Sequence, residues 1–288
     1  MTPSRVRGRI IAVSMAMAFI LYLDRICLAE IVKAVSFQQE VALSKEQIGR
    51  VLGVFFFSYA LFQVPAGWAS DRLGARPMLT FYIVLWSVFT ALTGMVSTYP
   101  ALMAMRLLCG VAQAGAYPTS GALIRRWMPL AERARASSMV TLGGRIGGTL
   151  APFLTAWMVV SIGHWRPVLW IDGAIGLLVA AAYWWVVRDR PSDHPACNAA
   201  ERAHIGSPPV EPPLPTRELG PVLWVFCRSR SLWLNASMQF LVNIGWAFLI
   251  LSLPDYLKKV KHLDDGMSGL ITTGALTIGI AALPLGGL

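Results

Sequence analysis

The sequence predicts an all-α protein that crosses a lipid bilayer many times. Two observations carry that prediction. Of the 288 residues, 56% are hydrophobic and only 14% are charged, whereas soluble domains carry about 25% charged residues. The charge is also segregated. Residues 51–70, 78–105, 107–124, 146–163, 231–254 and 266–288 contain no Asp, Glu, Lys or Arg, and about 20 helical residues cross a hydrocarbon core of ~30 Å.

The first span is placed at 10–31, where an apolar run follows Arg5, Arg7 and Arg9. A cleaved secretory signal is the competing reading, but its small-residue site "AMA" at 16–18 lies inside the apolar run rather than after it. The second span, 48–69, ends against Asp71-Arg72, and the third, 78–97, begins after Arg76-Pro77. The fourth, 101–124, is closed by Arg125-Arg126. The fifth, 136–161, is opened by Arg133 and Arg135, and the sixth, 168–187, is closed by Arg188 and Arg190. Residues 188–231 are polar and rich in arginine and proline ("GSPPVEPPLP", 206–215), which favours an extended, solvated connector. Two more spans follow at 232–256 and 267–288. The expected organisation is a six-helix bundle (1–187), a cytoplasmic linker (188–231) and the first two helices of a second bundle (232–288). Transporters built by duplication are arranged in this way. "VPAGW" (64–68) and "LPLGGL" (283–288) are read as corresponding points of such a repeat.

Net charge of +10 would suit a nucleic-acid ligand, but the positions of the basic residues point elsewhere. Most of the 25 Lys and Arg fall in the termini and the even-numbered connections. Positive-inside orientation then puts the N-terminus in the cytoplasm, and no nucleic-acid partner is implied. Cys27, Cys109, Cys197 and Cys227 share no ligand spacing, so neither a disulfide framework nor a metal site is expected. No nucleophile–base pair, phosphate loop or cofactor motif is present, and an enzyme is not expected.

Several segments together resemble the major facilitator superfamily, and within it the anion:cation symporter branch. "GWASDRLGAR" (67–76) looks like the signature loop between that superfamily's second and third helices, and the longer "FFSYALFQVPAGWASDRLGARPML" (56–79) is similar to the branch. "LYLDR" (21–25) resembles the branch's first helix. "RLLCGVAQAGAYP" (106–118) with "RRWMPLAERARASS" (125–138) resembles its fourth helix and the loop beyond, and "GWAFLILSLPDYLKK" (245–259) its seventh. The resemblance implies a secondary carrier of small organic anions such as sugar acids, dicarboxylates or aromatic carboxylates. The coupling cation would be a proton or sodium, and the two bundles would rock about a midplane site. It also implies about twelve helices where eight are found, so a C-terminally truncated member is expected.

Ionisable groups inside a membrane are costly and usually face a partner or a wet cavity. Here they are Asp24, Arg25, Arg106, Arg145 and Asp172. Arg106, Gly110, Gln113 and Tyr117 recur at helical spacing, as do Tyr59 with Gln63 and Asn235 with Gln239, Asn243 and Trp246. These polar stripes imply a central cavity, and a guanidinium would grip a carboxylate there through two parallel hydrogen bonds. The expected substrate contacts are Arg25, Tyr22, Tyr59, Gln63, Gln113, Gln239, Asn243 and Arg145. Arg25 leads because the resemblance gives its counterpart a part in substrate recognition. Arg145 is read either as a second anion contact or as the neutraliser of Asp24. Asp24 and Arg106 are the proton-coupling candidates. Asp172-Gly173 matches a family Glu-Gly and is read as structural. Gln113 departs from the resemblance, since proton-coupled members carry glutamate in a Glu-Ala pair where this chain reads Gln113-Ala114. Glutamine cannot exchange a proton, so fewer protons or a different ion are expected.

At the opening loop, Gly67 is read as letting a neighbouring helix approach closely. The resemblance makes Gly67, Asp71, Arg72, Gly74 and Arg76 a conformational latch between the two halves. Two other functions stay open: a transport-incompetent membrane sensor or non-functional fragment, suggested by Gln113 and the missing helices, and a drug or amphiphile exporter.

Overall fold

A computed structural model gives the fold, describing residues 2–206, 224–225, 227–247 and scattered single positions beyond 247. The chain forms two compact units, one within residues 1–209 and one within 210–282. Most of the expected eighth span, residues 207–223 of the connector and the "LPLGGL" segment lie outside the described residues.

In the first unit α1 (Val6–Ile31) runs from the end of the bundle where the chain starts, here called proximal, to the distal end. A short α2 (Val35–Glu40) caps that end. The return helix α3 (Lys45–Leu73) opens on a capping box, in which Ser44 Oγ accepts the Gln47 N–H at 3.2 Å while Gln47 Oε1 accepts the Ser44 N–H at 2.9 Å. Gly74, at φ +98°, turns the chain into α4 (Ala75–Thr93). The next return is made in two pieces, α5 (Tyr99–Gln113) and α6 (Ala116–Trp127). α7 (Arg133–Ile162) and α8 (Arg166–Val186) complete the bundle, and α9 (Ala199–Ile205) follows at the proximal end. Five of these helices are long and apolar enough to span a membrane. Many side chains on their outer faces are apolar and exposed, among them Phe57, Phe153, Trp157, Leu178 and Trp185. In water that surface would be a liability, whereas in lipid it is the solvated face.

The fourth span differs from the continuous helix expected at 101–124. It breaks at Ala114-Gly115, and Pro118 is the physical cause. A proline has no N–H to give the carbonyl four residues back, here that of Ala114, and its ring crowds that oxygen. Gly115 at the break packs against the ring of Tyr82 so closely that no side chain would fit.

The buried interior falls into two apolar clusters. Trp86, Trp127 and Tyr183 belong to one, while Phe37, Val51 and Trp165 belong to the other, with the Phe37 and Trp165 rings edge-on at 5.0 Å. Each end of the bundle is tied by polar links between loops. Distally, Glu40 on α2 holds His164 at 2.6 Å and Arg166 at 3.0 Å, and Arg166 also donates to the Gly94 carbonyl at 2.8 Å and Ser97 at 2.7 Å. Those partners hold the Glu40 carboxyl below its usual range, the His164 hydrogen bond contributing most.

Proximally, α1 begins at Arg5, whose backbone is left-handed and whose side chain caps nothing. The cap comes instead from Glu201 on α9, which is fully buried and accepts the N–H groups of Val6 at 3.1 Å and Arg7 at 3.0 Å, together with the Ser4 hydroxyl. Burial alone would raise the Glu201 carboxyl, but these hydrogen bonds and the Arg7 charge outweigh it and the net displacement is downward from 4.5. A carboxyl displaced downward stabilises the fold above its ordinary value, and that contribution is lost as pH falls through the lowered one. Glu201→Gln is therefore expected to destabilise the unit by about 2 kcal/mol at neutral pH. The gap to wild type should close as the medium is acidified below the carboxylate range. Thermal unfolding of both proteins in detergent across that range checks it, and a gap independent of pH would contradict the assignment.

In the second unit the described helix is α10 (Arg230–Ala247).

Candidate functional site

The side chains of α1, α3 and α5 converge on Arg25. Its guanidinium lies over three rings, with centroids at 4.5 Å (Tyr59), 4.9 Å (Tyr22) and 5.2 Å (Phe55). Phe55 and Tyr59 are themselves stacked, at 5.9 Å and 13°. One amide completes the setting, since Gln113 Oε1 accepts from both Nε and Nη2 of Arg25 at 3.3 Å, while its Nε2 donates to the Leu21 carbonyl at 3.4 Å. Among the described residues no carboxylate pairs with Arg25. Tyr117 stands edge-on to Tyr22 at 6.5 Å.

Helix packing explains how this cluster is built. Gly110 on α5 lies against the backbone of Phe55 and Tyr59 and the hydroxyl of Ser58, leaving no room for a Cβ. Ser58 Oγ donates to the Leu107 carbonyl at 2.9 Å across the same crossing. This contact puts the Phe55 ring under Arg25 and, at 4.9 Å, under Arg106. Arg106 is buried and its Nη2 donates to the Arg25 carbonyl at 3.0 Å. On α7, Gly144 faces Tyr22 and the Tyr117 hydroxyl.

The structure thus brings together Arg25, Tyr22, Tyr59, Gln113 and Arg106 of the expected residues, with Phe55 added. Gln63 lies one turn further along α3, half-buried, and Arg145 is half-buried on α7 beside Gly144. Asp24 is buried with neither carboxylate oxygen hydrogen-bonded. Gln239 and Asn243 belong to α10 of the second unit, where the Asn243 amide donates to the Gln239 carbonyl at 2.8 Å. All four cysteines are free.

The residues expected to form a latch make the following contacts within the first unit. The Arg76 N–H donates to Asp189 Oδ1 at 2.9 Å, and its guanidinium donates to the Trp184 carbonyl at 2.9 and 3.1 Å while lying 3.8 Å over the Trp184 ring. Gly74 packs against the same Asp189, whose Oδ2 would stand 2.9 Å from an added Cβ. Arg72 lies over Trp68 at 4.0 Å, and Asp71 is exposed. A Cβ added at Gly67 would stand 3.4 Å from the Pro118 Cβ, an ordinary contact within the first unit.

Comparison with known proteins agrees with this architecture. Residues 14–288 match the family model of the Major Facilitator Superfamily. The probable sulfoacetate transporter SauU of Cupriavidus necator is 30% identical over 98% of this chain and 64% of its own length. The probable galactarate/D-glucarate transporter GarP of Escherichia coli is 28% identical over 92% of this chain and 62% of its own. The chain therefore spans about three fifths of the length of the curated relatives it matches. Among solved structures, the E. coli fucose:proton symporter FucP superposes with a TM-score of 0.63 at 14% identity, over 96% of this chain and 70% of its own.

Proposed function

Because this chain belongs to the Major Facilitator Superfamily, we propose that it serves a secondary carrier of small organic anions that works by alternating access. The observation that carries this reading is Arg25, a cation with no carboxylate partner among the described residues, held by three aromatic faces and one amide. A fixed guanidinium of this kind is suited to a carboxylate or sulfonate ligand. Relatives named for sulfoacetate and for galactarate/D-glucarate fit that chemistry. Tyr22, Tyr59, Gln113 and Arg145 are assigned to the first bundle's share of the site, with Gln63 further along α3. Gln239 and Asn243 are assigned to the second bundle's share. The N-terminus is assigned to the cytoplasmic face of the inner membrane, residues 188–231 to the linker between bundles, and Gly67 to Arg76 to the latch at that face.

Gln113 sets the charge of the site. A carboxylate in its place would stand about 3.3 Å from the Arg25 guanidinium and act as a resident counter-ion, so that binding an external anion would require its protonation. With glutamine, the incoming anion is the counter-ion.

Equilibrium binding of D-glucarate and sulfoacetate to the purified chain, with D-glucose as the neutral comparator, tests the reading. Saturable binding of the acids and none of the sugar is expected, and equal binding of sugar and acid would overturn it. In the same assay Gln113→Glu is expected to weaken acid binding about tenfold, or 1.4 kcal/mol, at alkaline pH. Affinity should recover on acidification, because protonation restores a neutral partner to Arg25. A pH-independent loss would contradict the counter-ion argument.

A further inference from the structure

Asp24 on α1 and Asp172 on α8 stand outside the Arg25 cluster. Each is 1% exposed, and none of their carboxylate oxygens has a hydrogen-bond partner. Gly176 on α8 meets Ile20 on α1, and one turn toward the distal end from that contact the two helices carry Asp172 and Asp24. The helices meet there because Gly173 and Gly176 on α8 lie against Ser87 on α4, and Gly176 also reaches Ile20 on α1. The surroundings are made of donors. The Trp86 indole N–H on α4 is fully buried, has no acceptor in hydrogen-bond geometry and faces Asp24. The Cys27 thiol donates to the Asp24 carbonyl at 3.2 Å and faces Asp172. Arg106 on α5 reaches the backbone of Arg25, the residue next to Asp24, and keeps its buried Nε unbonded, and Cys109 on the same helix is buried as well.

Two carboxylates in a dry interior repel each other, and each forgoes the hydration it would have in water. Among the described residues beside them Arg106 supplies one positive charge, enough for one of them. The arrangement is neutral only when the other carries a proton. We propose that Asp24 and Asp172 together form a paired-carboxylate site for one exchangeable proton, with Asp172 as the second acid that Gln113 cannot be. On binding, a proton from water forms one O–H bond on a carboxylate oxygen; on release that bond breaks and the proton returns to water. Sodium is disfavoured because it requires several oxygen ligands, whereas the groups around the pair are N–H and S–H donors and a guanidinium. Only the use of this proton in transport rests on the carrier reading above.

Infrared titration of the buried carboxyl C=O stretch, on the purified chain in lipid nanodiscs, tests the pair without requiring transport. Wild type is expected to lose its signal in two steps, since carboxyls coupled by more than about one pH unit titrate as a pair. Asp172→Asn should leave a single step falling between those two, Asp24→Asn likewise, and Asp172→Glu should retain both. The pair is overturned if Asp172→Asn removes one step and leaves the other at its wild-type midpoint, or if Asp172→Glu, folded by the same infrared helix band, shows one step only. Two coupled steps in a protein that binds neither D-glucarate nor sulfoacetate would sink the carrier reading and leave the pair standing. Uncoupled steps with D-glucarate binding intact would do the reverse.

Discussion

Replacing Arg25 by alanine is expected to weaken D-glucarate binding by about 100-fold or more. A charge-assisted, two-pronged hydrogen bond in a desolvated setting is the strongest single contact this cluster can offer an anion. Truncating one partner of such a pair costs about 3 kcal/mol, which is about two orders of magnitude in affinity. The three rings at 4.5–5.2 Å hold the guanidinium in place, so little conformational freedom remains to be lost when ligand arrives. Lysine would keep the charge but not the planar fork or its fit to the ring faces, and Arg25→Lys should therefore fall between, about tenfold weaker than wild type. Isothermal titration at fixed ionic strength reads both. Binding by Arg25→Ala within threefold of wild type would place the anion elsewhere, and equal losses for alanine and lysine would show that the fork rather than the charge decides.

The helices of the bundle could be read from composition because the physics behind them is coarse. A run with no charge must be helical if it is to hide its backbone in lipid, and arginines mark where it stops. The alignment of Arg106 with Gln113 was equally visible, since a spacing of seven is two helical turns. The break at Ala114 was not, because proline acts on a carbonyl four residues away and Pro118 sits in the middle of an otherwise continuous apolar run. Phe55 was missed for a related reason. One phenylalanine among Phe55, Phe56 and Phe57 carries no sign of its partner, and only the Gly110 crossing reveals which ring lies beneath the arginines. The short helices α2 and α9 have weak intrinsic signals and are fixed by Glu40 and Glu201, whose partners lie more than 120 residues away in sequence. Asp172 reads as structural in a sequence that cannot show its carboxylate oxygens buried without a hydrogen bond.

Gly147→Leu is expected to cost about 3 kcal/mol of stability, at the upper end of the range for overpacking a close-fitted contact. Gly143 and Gly147 lie one turn apart on α7, against the backbones of Met15 and Phe19 on α1. A Cβ at either position would stand 2.9 Å from a Cα on the facing helix and closer still to its carbonyl oxygen. Backbone atoms cannot rotate aside as a side-chain tip can, so the two helices must separate. In lipid no hydrophobic gain compensates for that separation, because helix association there depends on close packing itself. Gly121→Ala is the matched control, since an added Cβ at Gly121 meets nothing within 4 Å and alanine favours the helix by up to about 1 kcal/mol. Thermal unfolding followed by tryptophan fluorescence should place Gly147→Leu below wild type and Gly121→Ala at or above it. Equal stability of the two variants would remove the crossing from the account. Because α1 carries Tyr22, Asp24 and Arg25 while α7 carries Gly144 against Tyr22, any Gly147→Leu protein that does fold should also bind D-glucarate more weakly than wild type. That second loss would show that the glycine contact sets the position of the anion site as well as the stability of the bundle.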